Sequence, residues 1–206
     1  MTFEVCNEPG CEKTAVFSSN YCFKHSDNKE EISQSARTFI KENSIIKNLN
    51  FSGIELNNID FSSKKILFSR FSHSSLQNCN FDKTDIISVF MDFSLLTNCS
   101  FKNSNIKLSV FGGSDFRKSI FEDTVLVFCN LLGANISDIL FNNSDLSHSR
   151  FINSITTSIL FYNCNLKKSV FNSIDFDKKS LKTSNCEDAI IVTYKKNNLK
   201  ESEIIK

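Results

Sequence analysis

The chain has no tryptophan, one proline and five glycines in 206 residues, so the residues that usually mark turns are nearly missing. No apolar run approaches the roughly 18 residues that a membrane helix needs, and the start lacks the basic and apolar segments of a signal peptide. The net charge of +1 favours neither an acidic nor a basic partner. We therefore expect a cytoplasmic protein whose eight cysteines are metal ligands or small buried residues rather than disulfides.

What the chain does have is a large apolar residue at every fifth position. Thr156 alone interrupts the series, and small or slim residues such as Ser69, Cys79 and Ala134 stand two positions earlier. A period of five suits neither an α-helix nor an ordinary strand, whereas a chain that turns a corner after every five residues fits it. The series is Phe51, Leu56, Phe61, Ile66, Phe71, Leu76, Phe81, Ile86, Met91, Leu96, Phe101, Ile106, Phe111, Phe116, Phe121, Leu126, Leu131, Ile136, Phe141, Leu146, Phe151, then Phe161, Leu166, Phe171, Phe176 and Leu181.

Residues 20 positions apart are also alike, as four sides of five residues would require. One ladder is all phenylalanine, from Phe61 through Phe81 and Phe101 to Phe161, and another is all aliphatic, from Ile66 to Leu166. Stacked coils would lie about 4.8 Å apart, the spacing of hydrogen-bonded strands. The sequence therefore predicts an all-β solenoid, a quadrilateral β-helix of about seven coils.

The repeats resemble those of the pentapeptide-repeat family. CNFDK at 79–83 and SDFRK at 114–118 follow its consensus of a small residue, Asp or Asn, Leu or Phe, and two variable residues. The resemblance spans roughly residues 46–186. It implies a right-handed quadrilateral β-helix, usually without catalysis, that acts as a rod for protein contacts. Some members of the family protect DNA gyrase by imitating DNA.

The pattern divides the chain into four segments. We expect a zinc-knuckle-like segment at 1–25, a capping helix and linker at 26–45, the β-helix at 46–186, and a cap strand with a polar tail at 187–206. Ser26 and Asp27 are expected to cap the helix, whose apolar face of Ile32, Ala36, Phe39 and Ile40 would cover the first coil. Two lysines at inward positions, Lys64 and Lys179, are expected in terminal coils where they reach water.

One segment carries the residues of a metal site. Cys6, Cys11, Cys22 and His25 have the spacing Cys-x4-Cys-x10-Cys-x2-His, and three thiolates with one imidazole suit tetrahedral Zn²⁺. A Pro9-Gly10 turn would let the first two sulfurs face one ion. The segment resembles short Cys3His zinc knuckles, and with four protein ligands the zinc would be structural. Unliganded cysteines in a flexible arm remain the alternative.

Apolar residues at outward positions indicate an interface. We call the larger set the apolar edge, and a separate stripe with 20-residue spacing consists of Ile120, Leu140 and Leu160. A partner protein or a second copy of the chain would cover the apolar edge, unless the chain's own helix or tail does so. The apolar edge comprises Leu67, Phe68, Ile87, Phe90, Phe93, Leu108, Val110, Val127 and Phe128.

Three other functions fit the sequence less well. Gyrase protection by DNA mimicry requires an acidic rod, but residues 46–186 contain twelve acidic and fifteen basic residues. Nucleic-acid binding through the zinc knuckle would use lysines that are scattered, and a basic stripe on the folded surface would favour it. An enzyme is not indicated, because no phosphate loop, paired-histidine motif or serine elbow occurs and the core leaves no axial pocket. The sequence predicts a non-catalytic, protein-binding scaffold.

Overall fold

The computed structural model describes residues 3–173 and 178–193, most of which form a β-solenoid of about seven turns. In those residues, no helix has the length and apolar character needed to cross a membrane. The elements in chain order are a 3-10 helix at Phe23–His25, α1 (Lys29–Glu42), β1 (Ile45–Lys47), β2 (Lys65–Leu67), β3 (Asp85–Ile87), β4 (Asn105–Lys107), β5 (Phe121–Glu122), β6 (Val125–Val127), β7 (Leu140–Asn142), β8 (Arg150–Ile152), β9 (Leu160–Tyr162), β10 (Val170–Ser173), a second 3-10 helix at Lys178–Thr183, and β11 (Ile190–Thr193).

The strands pair in parallel with the strands one coil away, 20 residues along the chain. Ile66 lies opposite Ile86, and Ile86 lies opposite Ile106. Three sheets result, with the orders β1-β2-β3-β4-β6, β5-β7-β9 and β8-β10-β11. The predicted β-helix is therefore confirmed, because the five-residue and 20-residue periods correspond to its sides and its coils.

The phenylalanine ladder fills the centre of the solenoid. The ring centroids of Phe61 and Phe81 are 4.6 Å apart, and those of Phe81 and Phe101 and of Phe101 and Phe121 are both 4.8 Å apart. These rings are at most 1% exposed. Stacked aromatic pairs add roughly 0.5–1.5 kcal/mol each beyond the burial of their area, so the ladder ties each coil to the next.

The small inward residues are hydrogen-bond donors as well as space fillers. The Ser74 hydroxyl donates to the carbonyl of Phe51 at 2.8 Å, and the Ser94 hydroxyl donates to the carbonyl of Phe71 at 2.6 Å. Thr84 makes the equivalent bond, and the thiol of Cys99 lies 2.9 Å from the carbonyl of Leu76. An unpaired buried hydroxyl costs roughly 1–3 kcal/mol, so this position favours a small residue that can reach the previous coil.

Each side of the β-helix closes with a residue in the left-handed backbone region. Asn and Gly tolerate this conformation, and Asn78, Asn98 and Gly133 adopt it here. Phe68, Leu108 and Phe128 also adopt it, with φ of 50°, 54° and 56°. Bulky side chains are strained at positive φ, so their presence at these corners is not explained by backbone preference.

Two glycines at equivalent corners provide a test of this geometry. Gly113 and Gly133 both have positive φ, but a Cβ on Gly113 would lie 2.6 Å from the Phe93 ring, whereas one on Gly133 would meet nothing within 4 Å. We expect Gly133→Asn to shift the urea midpoint little. Gly113→Asn should lower the unfolding free energy by about 1 kcal/mol, since the exposed Phe93 ring has to move aside. Equal effects in urea melts would contradict this account.

Helix α1 and the segment before it cover the open end of the first coil. Ile32, Ala36 and Ile40 are at most 6% exposed and join the core, as predicted, while Phe39 packs against that core partly buried. Arg37 of α1 donates to the backbone carbonyls of Glu55 and Asn57, each at 2.9 Å. The helix therefore caps the solenoid through both apolar packing and hydrogen bonds.

The predicted helix cap was wrong. The residue before α1 is Asn28, and it makes no capping side-chain bond. The Ser26 hydroxyl instead donates to the carbonyl of Cys22 at 3.1 Å, within the Cys/His segment, so it is not free to cap the helix. Lys64 is half-buried, and its ammonium donates to the carbonyl of Asn43 at the end of α1 at 2.9 Å. A cap carbonyl thus satisfies this inward lysine.

At the other end, β11 continues the register of the coils. Its Ile191 lies opposite Phe171 and is 1% exposed, so the predicted last apolar strand adds another parallel strand to the sheet. The side chain of Lys179, the position of Phe176, and the tail at 194–206 lie outside the described residues. The four segment boundaries stay a prediction.

Candidate functional site

A short hairpin positions the first two metal-ligand candidates. Val5 and Thr14 form an antiparallel bridge, and the N–H of Cys6 donates to the carbonyl of Lys13 at 2.8 Å. At its tip, the N–H of Cys11 donates to the carbonyl of Glu8 at 3.0 Å, with Gly10 at φ 77°. The Pro9-Gly10 turn therefore brings Cys11 back towards Cys6, as the sequence predicted.

The 3-10 helix at Phe23–His25 positions the other two metal-ligand candidates, Cys22 and His25. The N–H of His25 donates to the carbonyl of Cys22 at 2.9 Å, which folds both side chains towards the hairpin. The ligand atoms of Cys6, Cys11, Cys22 and His25 all lie within 4.8 Å of one another. In residues 3–173 and 178–193, no second group of three or more His, Cys, Asp or Glu side chains gathers in this way.

The spacing of these atoms fits tetrahedral zinc. Nδ1 of His25 lies 3.6 Å from Sγ of Cys6 and 3.5 Å from Sγ of Cys22, and the sulfurs of Cys11 and Cys22 are 4.0 Å apart. Ordinary zinc bond lengths place two sulfurs about 3.8 Å apart and a sulfur and nitrogen about 3.5 Å apart. The four residues could therefore hold one ion with little movement.

The same contacts favour a thiolate at Cys6. Desolvation of the sulfur raises its pKa, but hydrogen bonds with the backbone of Cys22 and Glu8 and with the side chains of His25 and Cys22 outweigh it. The pKa of Cys6 falls to about 6. A thiolate is the form of cysteine that binds metal. Cys6 therefore has the protonation, as well as the position, of a metal ligand. A backbone hydrogen bond at Lys13 lowers the pKa of Cys11, but desolvation and the contacts with Cys6 and Cys22 outweigh it and raise that pKa.

The Cys/His segment is attached directly to the β-helix. The side-chain amide of Asn50, which is 3% exposed, donates to the carbonyl of Ala15 at 2.7 Å, and the N–H of Phe17 donates to the carbonyl of Asn50 at 2.6 Å. The Phe17 ring stacks on Phe51, the first phenylalanine of the inward series, at 5.1 Å. Folding of the segment is thus coupled to packing of the first coil.

Four of the remaining cysteines are core residues in the structure, and the fifth, Cys186, packs against the core half-buried. Cys79, Cys99, Cys129 and Cys164 are at most 2% exposed, and every cysteine in the chain is free. Desolvation raises the pKa of Cys129 to about 12, so this thiol stays protonated at neutral pH. These side chains act as small buried donors, in the place that serine occupies in other repeats.

The structure places eight residues of the apolar edge at one corner of the rod. Phe68, Leu108 and Phe128 are 39%, 59% and 53% exposed. Leu67, Ile87, Phe90, Val110 and Val127 are half-buried between them. Parallel pairing stacks Leu67 on Ile87 and Phe90 on Val110, so the set forms one apolar surface that only Ser88 and Lys107 interrupt. We call this part of the rod the Phe128 corner. It comprises three columns of positions spaced 20 residues apart, which begin at 47, 48 and 50 and end at 167, 168 and 170.

Two features of the apolar edge differ from the prediction. Phe93 lies at the next corner, where its ring stacks on His73 at 5.1 Å, because it closes the following side of the coil. Phe90 is not open on all sides, since the guanidinium of Arg70 lies 5.3 Å from its ring and also 5.3 Å from the ring of Phe3. The chain's own N-terminal segment thus contacts Arg70 at the start of this surface.

The second apolar stripe is on the surface, as expected. Ile120, Leu140 and Leu160 are 46%, 48% and 40% exposed, and Leu140 lies directly opposite Leu160. It runs along the sheet β5-β7-β9, where Tyr162 adds a 55% exposed ring. The two apolar surfaces therefore belong to different sides of the rod.

Comparison with known proteins identifies the repeats and leaves their role open. Pentapeptide repeats match residues 68–103 in eight copies, and no curated protein matches the chain. A trypsin-treated variant of QnrB1, a plasmid-mediated fluoroquinolone resistance protein, is 18% identical over 70% of this chain and 81% of its own, with a TM-score of 0.49. HetL, which is involved in heterocyst differentiation regulation in the cyanobacterium Nostoc sp. strain PCC 7120, is 12% identical over 78% of this chain and 96% of its own, with a TM-score of 0.40.

The matched repeats agree with the fold beyond the matched residues. The five-residue register of the match continues through the parallel ladders on both sides of it, from Ile45 opposite Lys65 to Val170 opposite Ile190. The inward large residues and the left-handed corners follow the same register. Residues 68–103 therefore match pentapeptide repeats, and the same five-residue register runs through the rest of the β-solenoid.

Proposed function

We propose that this protein is a non-catalytic rod that binds a partner protein through the Phe128 corner. The observation that carries the proposal is the presence of exposed Phe68, Leu108 and Phe128 at positive φ. Asparagine or glycine would relieve the strain and improve solubility at each position, so folding does not account for the large apolar side chains. Contact with another protein does, because it buries them.

The Cys/His cluster is proposed to hold structural Zn²⁺. The four ligands leave no open position for water or substrate, and the segment has few apolar residues with which to fold alone. When bound, the metal would supply a rigid link between the hairpin and the 3-10 helix. Asn50 and Phe17 then transmit that rigidity to the first coil.

Catalysis and gyrase protection are not favoured. Twelve phenylalanine side chains lie fully buried in the described core, which leaves a filled rod axis in place of a substrate pocket. Acidic residues are distributed over all sides of the coil, with Asp82, Asp85, Asp92 and Asp115 on four successive sides. An imitation of DNA would instead require acidic side chains concentrated on one surface.

The proposed contact predicts the behaviour of a double variant. Leu108→Asn with Phe128→Asn should abolish association with the partner and leave stability unchanged or slightly higher, since asparagine suits both corners. The measurement is affinity isolation of the tagged protein from its native cell with mass spectrometry, alongside urea unfolding of both proteins.

A matched control separates the two apolar surfaces. Leu140→Asn with Leu160→Asn removes a pair of exposed leucines, 48% and 40% exposed, on the other side of the rod and should leave the partner bound. If the control loses the partner while the Leu108/Phe128 variant keeps it, the stripe rather than the Phe128 corner is the binding surface. If both variants behave like the parent, the proposed contact is wrong.

A further inference from the structure

Folding sorts the charged side chains by corner, which the overall charge balance conceals. The Phe128 corner contains no aspartate or glutamate between positions 47 and 170, and its columns then continue to Glu187 and Asp188 in the last described coil. The next corner comprises the columns that begin at 52, 53 and 55 and end at 172, 173 and 155, again in steps of 20. It contains Glu55, Asp92 and Asp115 and no lysine or arginine. The basic residues of the Phe128 corner are Lys47, Arg70, Lys107, Arg150, Lys167 and Lys168.

These basic side chains flank the apolar residues of the Phe128 corner at both ends. Lys47 and Arg70 precede it, Arg150, Lys167 and Lys168 follow it, and Lys107 lies in its middle. Lys47, Lys107, Arg150 and Lys168 are exposed. Among the described residues, the ion pairs include one cation of this corner, Lys167, which lies 2.8 Å from Glu187. The positive charges of Lys47, Lys107 and Arg150 therefore face solvent, whereas Lys167 and Lys168 lie beside Glu187.

We propose that the Phe128 corner binds an acidic protein segment whose apolar side chains are flanked by aspartate or glutamate at both ends. This inference rests on the proposed function and adds the chemistry of the partner. From position 47 to position 167 the corner spans six coil steps, or about 29 Å at the spacing of paired strands. A segment of about 20 residues in helical form would cover that length. Its apolar centre would meet Phe68, Leu108 and Phe128, and its acidic ends would meet the flanking cations.

Charge complementarity favours this occupant over the two others. In a symmetric dimer through this corner, each subunit would place the same cations against those of its copy, which is unfavourable. A nucleic-acid strand would need a continuous basic track, but Lys107 is the one lysine or arginine of the corner between Arg70 and Arg150. One face of the Phe128 ring is also occupied, because His148 stacks on it at 4.5 Å. That leaves fewer free aromatic faces on which nucleic-acid bases could stack.

The test selects ligands from a displayed library of random peptides about 20 residues long, with the full-length protein as bait. Selected peptides are then measured by fluorescence anisotropy. We expect enrichment of aspartate and glutamate around leucine, phenylalanine or tryptophan, and binding that weakens as salt is raised. The variant Lys107→Glu, Arg150→Glu, Lys168→Glu should bind these peptides about tenfold more weakly or worse. The matched control Arg117→Glu, Lys118→Glu changes exposed cations at another corner and should bind like the parent.

The outcomes separate this inference from the proposed function. Peptides that lack acidic enrichment but are lost in the Leu108→Asn, Phe128→Asn variant would overturn the acidic partner and leave the protein-binding corner standing. Peptides unaffected by either set of changes, or no selected peptides at all, would overturn both. Retention of an oligothymidylate that falls with salt, without peptide binding, would replace both with nucleic-acid binding. A dimer that the charge-reversal variant dissociates would replace the acidic segment with a second copy.

Discussion

Cys22→Ser is expected to remove the bound metal and release the N-terminal segment from the first coil. The change deletes one of the four ligands that lie within 4.8 Å of one another, and structural zinc in small knuckles supplies roughly 10–16 kcal/mol of apparent binding free energy. Because Phe17 and Asn50 join that segment to the β-helix, loss of metal should destabilise the end of the rod by several kcal/mol. We expect one equivalent of zinc in the parent by elemental analysis and a large loss in the variant.

Hydrogen exchange would locate the effect. Without metal, amides in residues 3–25 and in the first coil should exchange faster, whereas amides near Phe101 should not change, because each coil contacts its neighbours alone. Cys129→Ser is the matched control, since serine makes the same bond to the preceding coil elsewhere and the Cys129 thiol stays protonated. It should retain zinc. A Cys22→Ser protein with the parent's zinc content, or a chelator that leaves exchange in residues 3–25 unchanged, would disprove the metal site.

Phe101→Ala is expected to cost about 3–5 kcal/mol of unfolding free energy, as for other large-to-small changes in well-packed cores. The Phe101 ring is fully buried between Phe81 and Phe121, each 4.8 Å away, and its edge contacts Phe116. A cavity there interrupts the ladder, which cannot close without shifting whole coils. Urea unfolding followed by circular dichroism measures the loss.

Phe128→Asn provides the contrast within the same residue type. This phenylalanine is 53% exposed at φ 56°, so asparagine should change unfolding free energy by less than about 0.5 kcal/mol or raise it. The two variants therefore test whether stability resides in the inward positions alone. A loss at Phe128 as large as that at Phe101 would show that the corner ring is part of the folded core and would count against the binding surface.

Some contacts were beyond prediction because they join residues distant in sequence. The hydroxyl bonds from Ser74 to Phe51 and from Ser94 to Phe71 span 23 positions, so a small-residue pattern indicated their burial and not their partners. The sequence offered a signal in the predominance of Ser, Thr and Cys over Ala at that position. Lys64 was recognised as exceptional, but its acceptor, the carbonyl of Asn43, depends on where α1 ends.

The candidate functional surfaces were likewise only partly predictable from the sequence. The four metal-ligand candidates were evident from their spacing, since a turn and a short helix are local structures. The Phe128 corner was evident as a set of outward apolar residues, but Phe93 was assigned to it although it closes the next side of the coil. The sorting of basic and acidic side chains onto neighbouring corners was missed, because scattered charges become columns only after coils are stacked.

The sequence by itself determined the coil, because a strict five-residue period and its 20-residue superperiod leave one way to bury every large side chain. It also determined which cysteines gather in the Cys/His cluster and which lie in the core. The tertiary structure alone decided how the N-terminal segment closes the first coil, through Phe17 on Phe51 and Asn50 on Ala15. It also decided which outward residues share a corner. The physical reason is that the repeat is a local property of each five-residue side, whereas capping and surface charge depend on contacts between coils and segments that no local pattern specifies.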